Sequence, residues 1–388
     1  MCIAAGQSAA PAPPQPPPPA RQVWLMQESG TTAGLRGLAS VDGTVAWASG
    51  TGGTVLRTTD GGEHWQKCAV PDAAADGATL DFRGVQAWDE QTAIVMASGP
   101  GEKSRLYKTM DGCKTWNLLL KNTDPAGFFD SFWLNAIYGE GMLVGDPLKD
   151  RFTVLVTQDG GVTWRSDRSK SLRLHGMPLA AFAASNSLIG RASRGTGDTR
   201  GPGIDYFNGF VAGGRGGAFL IERWEGRSRT KARFSHGRYA SMFLLPDWNR
   251  RALPLAAGVE SAGAFALALR DTGSPCSDCG FGKYWHLVAV GGDYAKPNES
   301  TGTAAASSTD GGWTWTASTT PPHGFRSAVQ WSEALKLWIT VGTNGSDISR
   351  DDGKTWRPLD DGNWNALSLP FVVGPNGRIA RLNPERLP

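Results

Sequence analysis

Five short segments set an aspartate among glycines a few residues ahead of a tryptophan. They are TTDGGEHW (Thr58 to Trp65), TMDGCKTW (Thr109 to Trp116), TQDGGVTW (Thr157 to Trp164), STDGGWTW (Ser308 to Trp315) and SRDDGKTW (Ser349 to Trp356). An Asp-Gly-Gly group can ligate a metal, cradle a phosphate or make a tight turn. A calcium loop requires several acids at alternate positions, and these segments carry too few. The histidines, His64, His175, His236, His286 and His323, have no ligand spacing, and His64 fills the usual Thr place of its segment. No Gly-x-Ser-x-Gly nucleophile elbow and no dinucleotide fingerprint occurs. This reading therefore assigns no catalytic residue, no metal and no cofactor.

The turn explains the pattern. An aspartate heading a tight turn accepts hydrogen bonds from backbone N–H groups two and three residues on, and glycine supplies positive φ. A Ser or Thr two residues earlier braces the same turn. The tryptophan then opens the next strand and buries a large flat surface between neighbouring sheets. Asp60, Asp111, Asp159, Asp310 and Asp351, with Trp65, Trp116, Trp164, Trp315 and Trp356, are accordingly structural. The aspartates are separated by 51, 48, 151 and 41 residues; the long gap is close to three of the others, so two blades' worth of chain has lost one recognisable segment. A period of roughly 40–50 residues holding several short strands marks a β-propeller.

In register, each unit supplies four strands. Blade 1 reads LRGLASV, GTVAWASG, GTVLRTTDGG and HWQKC; blade 2 runs from FRGVQAW to TWNLLLK, and blade 3 from WLNAIYG to TWRSD. Blade 4 is degenerate, with PLAAFAAS, a long insertion, GFVAGG, GAFLIE and no turn segment. Blade 5 starts at GAFALALRD and blade 6 at FRSAVQW. The seventh unit has only WNALSL, PFVVGPNG and RIARL, while Val23 to Ser29 is a strand without a partner. The expected fold is all-β: a seven-bladed propeller of four-stranded antiparallel blades over residues 23–388, closed by that N-terminal strand, which removes an exposed sheet edge.

Residues 1–22 are separate. The proline run is an extended spacer, and CIAAGQSAA has the small residues of a signal-peptide end. The expectation is export, to the periplasm or to a membrane through a lipid on Cys2. A net charge of +3 is too mild for nucleic acid, no apolar run is long enough to span a membrane, and the expected state is a monomer. Cys276 and Cys279 form a local disulfide, a reduced pair or a redox motif, and they lack the second pair of a zinc site. Cys113 stands where its segment calls for glycine, a departure the sequence alone does not explain.

Aligned, the units give Arg-x-x-x-(strand)-x-Val-Gly-x-x-Gly-x-(strand)-Thr-x-Asp-Gly-Gly-x-Thr-Trp. This pattern, from about Val23 to Leu387, resembles the photosystem II stability/assembly factor family, within the wider Asp-box or bacterial-neuraminidase-repeat propellers. The resemblance implies an exported protein that aids assembly of a membrane protein complex without catalysis. Asp-boxes also occur in sialidases, so the alternative is a sialidase-like or other glycoside hydrolase acting on extracellular glycans. Such sialidases carry an early Arg-Ile-Pro motif, absent here, and a Tyr nucleophile with its Glu, which is not evident.

The binding candidates lie at the channel mouth. Arg36, Arg83 and Arg326 are aligned at the head of the innermost strand in blades 1, 2 and 6, with Asn135 and Asn365 in that place in blades 3 and 7. Unpaired cations there attract a carboxylate or an acidic peptide segment of a protein partner; alternatively each side chain bonds to carbonyls of the next blade. Asp146, Asp293 and Tyr294, between second and third strands, face the same mouth. The basic run from Arg227 to Arg238 suits a solvated loop or a binding loop.

Overall fold

The computed structural model describes residues 22–388 apart from 72–79, 136–137, 197–202, 226–231, 234–238, 241–246, 274–284 and 301–302. Seven four-stranded antiparallel sheets are arranged as blades, six of them built in chain order from the innermost strand outward. The innermost strands are Leu35–Ser40, Phe82–Ala87, Phe129–Leu134, Ile189–Thr196, Ala262–Asp271, Ala328–Ser332 and Ala366–Ser368. Each innermost strand begins on the face called the top here; the repeated turns, which join third to fourth strands, lie on the bottom.

Burial follows position in the blade. A second strand is covered on both faces by neighbouring blades, and it reads as a continuous apolar run rather than an alternation. Ala46–Gly50, Ala93–Ala97 and Leu337–Gly342 are buried throughout. Outermost strands such as Gln66–Lys67 are exposed and polar. The last blade takes its fourth strand from the N-terminus: Trp24–Gln27 pairs antiparallel with Ile379–Leu382, Trp24 opposite Leu382. This closes the ring as the spare strand implied.

Blade 4 differs from its sequence reading. Its innermost strand is Ile189–Thr196, not the PLAAFAAS segment, and its second strand starts at Gly203. The polar residues at its end and just beyond it, Ser185-Asn186-Ser187, are spent on hydrogen bonds inside the ring instead. Blade 4 also keeps the tryptophan it seemed to lack. Trp248 immediately precedes the outer strand Asn249–Ala252 and is buried against Phe210, 5.7 Å between ring centroids. In blade 7 the position falls to Trp24, which meets Trp364 at 6.2 Å. Register fixes the equivalence, since Arg57 faces Gln66, one residue after Trp65, and Arg381 faces Leu25, one residue after Trp24.

The repeated turns share one hydrogen-bond pattern, unlike the expected one. The aspartate Oδ1 accepts the N–H four residues on, as from His64 at 3.0 Å, Thr115 at 2.9 Å and Thr163 at 2.9 Å. The N–H two residues on goes to the Ser or Thr hydroxyl two residues before the aspartate; Gly62 and Gly161 donate to Thr58 and Thr157. That hydroxyl in turn donates to the aspartate, at 2.8 Å from Thr58 and from Thr157. Thr115 and Thr163 also donate hydroxyl bonds to their aspartates. With the backbone bonds, these hold Asp111 and Asp159 at a pKa of about 2.

Cys113 now has an account. It occupies the second glycine place of its turn at φ 65° and is bonded to Cys68, Cα to Cα 5.5 Å, just after the outer strand of blade 1. The bridge ties blade 1 to blade 2. Arg227, Arg229, Lys231, Arg238, Cys2, Cys276 and Cys279 lie outside the described residues.

Candidate functional site at the channel mouth

A segment from blade 4 closes the axis of the ring. Asn186 Oδ1 accepts from Ser131 Oγ and from Phe132 N–H of blade 3, at 3.1 and 2.9 Å. Ser185 Oγ donates to the Ser327 carbonyl entering blade 6, at 2.7 Å. Arg83 of blade 2 donates to the Ala183 carbonyl, and Leu267 of blade 5 to that of Ser187. Four blades thus hold one strap, so the top of the ring is a cup and not an open pore. Gly84 gives it room, since a Cβ there would stand 3.1 Å from Asn186.

The arginines of the rim divide into two kinds. Arg36 bulges between Leu35 and Gly37, and Arg83 bulges in the same way between Phe82 and Gly84. Both turn to one carboxylate. Asp81 Oδ2 lies 2.8 Å from Arg83 Nε and 3.6 Å from Arg36 Nε. Their side chains remain 28% and 36% exposed, and the buried Arg36 Nε has no hydrogen-bond partner. Burial lowers the pKa of the Arg36 guanidinium and Asp81 opposes it, but the group stays cationic at neutral pH.

Arg326 is not in that register. Its N–H donates to the Gly291 carbonyl of the preceding blade, as those of Leu35 and Trp364 do to Gly374 and Gly342. Ser327 therefore holds the place of Arg36, and Arg326 stands one residue earlier. Its side chain is fully buried, bonded to Asp347 at 2.7 Å and to the Phe325 carbonyl at 2.6 Å. Asn365 is in register, yet its amide is spent on the Leu35 carbonyl of blade 1 at 2.8 Å. Asn135 lies at the other end of the ring, after the innermost strand of blade 3, where its Oδ1 accepts the Tyr138 N–H. Repeat spacing misplaced it because blade 3 opens at Phe129, before the segment WLNAIYG.

In blade 3 the rim position belongs to Asp130, between Phe129 and Ser131. Its carboxyl is 1% exposed, and one oxygen has no hydrogen-bond partner among the described residues. Burial, then the neighbouring Asp146, pushes its pKa well up, with Arg83 opposing. Asp146 is itself raised by burial and accepts the Ala181 N–H of the strap at 3.1 Å. An acid pair thus does meet at the mouth. Asp130 is buried, however, while the partly exposed Asp146 supports the strap through the Ala181 N–H.

Around blade 5 the rim turns aromatic. Phe265 bulges between Ala264 and Ala266, in the register of Arg36 and Arg83. Phe182 of the strap stacks on it at 4.0 Å between centroids, and Phe325 meets it edge-on at 4.7 Å. Tyr294, 52% exposed, touches all three rings. Asp293 accepts the Ala295 N–H and stabilises its own loop. Sequence spacing missed Phe182 and Phe265, whose role depends on where the strap runs. Elsewhere, Asp60, Glu63 and His64 bring potential metal ligands together on the bottom face, all exposed, with Asp60 already serving its turn.

Known structures share this architecture. No protein-family model matches the chain, and no curated protein matches it. A structure described as YCF48 bound to D1 peptide superposes with a TM-score of 0.54 at 15% identity, covering 93% of this chain and 96% of that one. YCF48 from Cyanidioschyzon merolae gives 0.55 at 18% identity, covering 94% and 99%. The chain is thus similar to both YCF48 structures in its seven-bladed fold.

Proposed function

We propose that this protein is an exported, non-catalytic propeller that captures a carboxylate-bearing segment of a partner protein in its top cup, and so aids assembly or stability of a membrane protein complex. One observation carries the reading: Arg36 and Arg83 share the single carboxylate of Asp81, leaving cationic hydrogen-bonding capacity at an exposed rim. Charge-assisted bonds to a carboxylate are among the stronger polar contacts available to such a rim. The capture of a D1 peptide by a YCF48 of the same fold supports a peptide as the ligand class, as does the resemblance to photosystem II assembly factors. The Cys68–Cys113 bridge supports an oxidising compartment, where such bonds persist.

The test is fluorescence anisotropy with short labelled acidic peptides ending in a free carboxylate or in an amide. The wild-type protein should prefer the carboxylate. A variant with Arg36→Gln and Arg83→Gln should fold normally and lose that preference. Equal binding of the two peptides by the wild type, or an unchanged preference in the double variant, overturns the reading.

A further inference from the structure

The cup has two chemically different walls joined by one residue. Arg83 donates to the carbonyl of Ala183, and the preceding residue, Phe182, belongs to the aromatic group of Phe265, Tyr294 and Phe325. We propose that Phe182 and Tyr294 form a second subsite, beside the arginines, for an aromatic or branched apolar side chain of the captured peptide. This rests on the cup being a carboxylate-binding site, and adds what the segment must carry next to its acid.

Three observations support it. Phe265 takes, in blade 5, the rim place that carries Arg36 and Arg83 in blades 1 and 2, so the aromatic group belongs to the rim itself. Phe265 and Phe325 are 3% or 4% exposed and form a rigid floor, whereas Phe182 is half-buried and Tyr294 half-exposed above them. A tyrosine so placed offers a preorganised apolar face at little entropic cost. Finally, the charged wall commits the occupant. Cations on one side and aromatics on the other suit one extended chain with an acidic end and a nearby apolar side chain, since desolvating the pair together strengthens the ionic contact.

The experiment uses the full chain and short peptides that differ in two respects only: a free carboxylate or an amide at the end, and Phe or Ser among the last few positions. The wild type should bind the Phe peptide about tenfold tighter than the Ser peptide, the effect of burying part of one ring. Tyr294→Ser should remove that difference and keep the carboxylate preference, while Tyr294→Phe should retain both. A carboxylate preference with no Phe preference, or a Phe preference intact in Tyr294→Ser, overturns the subsite and leaves the carboxylate site standing. A Phe preference with no carboxylate preference overturns the carboxylate site, and the two-walled occupant with it. Thermal melting of each variant checks the fold; Tyr294 is exposed enough that its loss should leave the melting temperature close to wild type.

Discussion

Arg326 and Asp347 form an ion pair whose two side chains are both fully excluded from solvent. The arginine also reaches the Phe325 carbonyl, Asn344 and His323, and so links the entry of blade 6 to its second hairpin. Removing one member of a buried pair strands the other, at a cost of about 3–5 kcal/mol. Arg326→Gln should therefore destabilise by about that amount in urea titration. Arg326→Leu combined with Asp347→Leu should cost less than either single change. A single variant as stable as wild type would show that the pair is not the anchor described here.

His323 adds a pH dependence to the same network. Its Nδ1 lies 2.8 Å from Asp347 and its Nε2 2.8 Å from the Asn344 carbonyl. The hydrogen bond to Asp347 raises its pKa, against burial and the repulsion of Arg326. For a raised pKa the stabilisation is fully present below the unfolded value of about 6.5 and is lost as pH rises through the folded value. Unfolding midpoints should thus fall as the solution is made alkaline from about pH 6.5, and His323→Gln should flatten that slope. An unchanged slope in the variant assigns the dependence to other groups.

The sequence carried the ring well because its signal is local. Turn chemistry and the tryptophan are written in consecutive residues, and they recur often enough to count blades, to leave the last unit one strand short and to leave one strand spare at the N-terminus. The rim was less legible. Arg36 and Arg83 are each flanked by the bulge that defines the place, whereas Arg326 lies one residue off in a similar-looking FRS, and only inter-blade hydrogen bonds expose the slip. The strap was invisible because AFAASNS has the composition of a strand, and its partners, Arg83, Phe132, Leu267 and Ser327, come from four blades.

The repeated turns give a test of their own. Thr157 is buried; its hydroxyl donates to Asp159 and accepts the buried N–H of Gly161. Thr157→Val keeps the shape and leaves that N–H without its acceptor, which costs about 1–3 kcal/mol. The aspartates predict an acid limb as well. Asp111 and Asp159, with pKa values of about 2, contribute stability present above the unfolded value near 3.8 and lost as pH falls toward 2. Asp159→Asn should reduce that limb, measured as melting temperature against pH. A wild-type acid limb in the variant would place the titration elsewhere.

Ring closure rests on Trp24. It is 4% exposed, packs against Trp364, donates its indole N–H to Ser346 Oγ of blade 6 at 2.9 Å, and opens the strand that covers Ile379–Leu382. Its removal empties the space between blades 6 and 7 and loosens the N-terminal strand of the ring. Trp24→Ala should cost about 3–5 kcal/mol, the usual range for a buried tryptophan. Trp24→Phe should recover part of it. The loss should also be local before it is global: the backbone amide of Asn383, which donates to the Val23 carbonyl, should exchange faster, while those of the second strand Ala93–Ala97, two blades away, keep their protection. Uniform acceleration around the ring would instead mean that blade 7 opens only when the whole propeller unfolds, and that the N-terminal strand is no separate clasp.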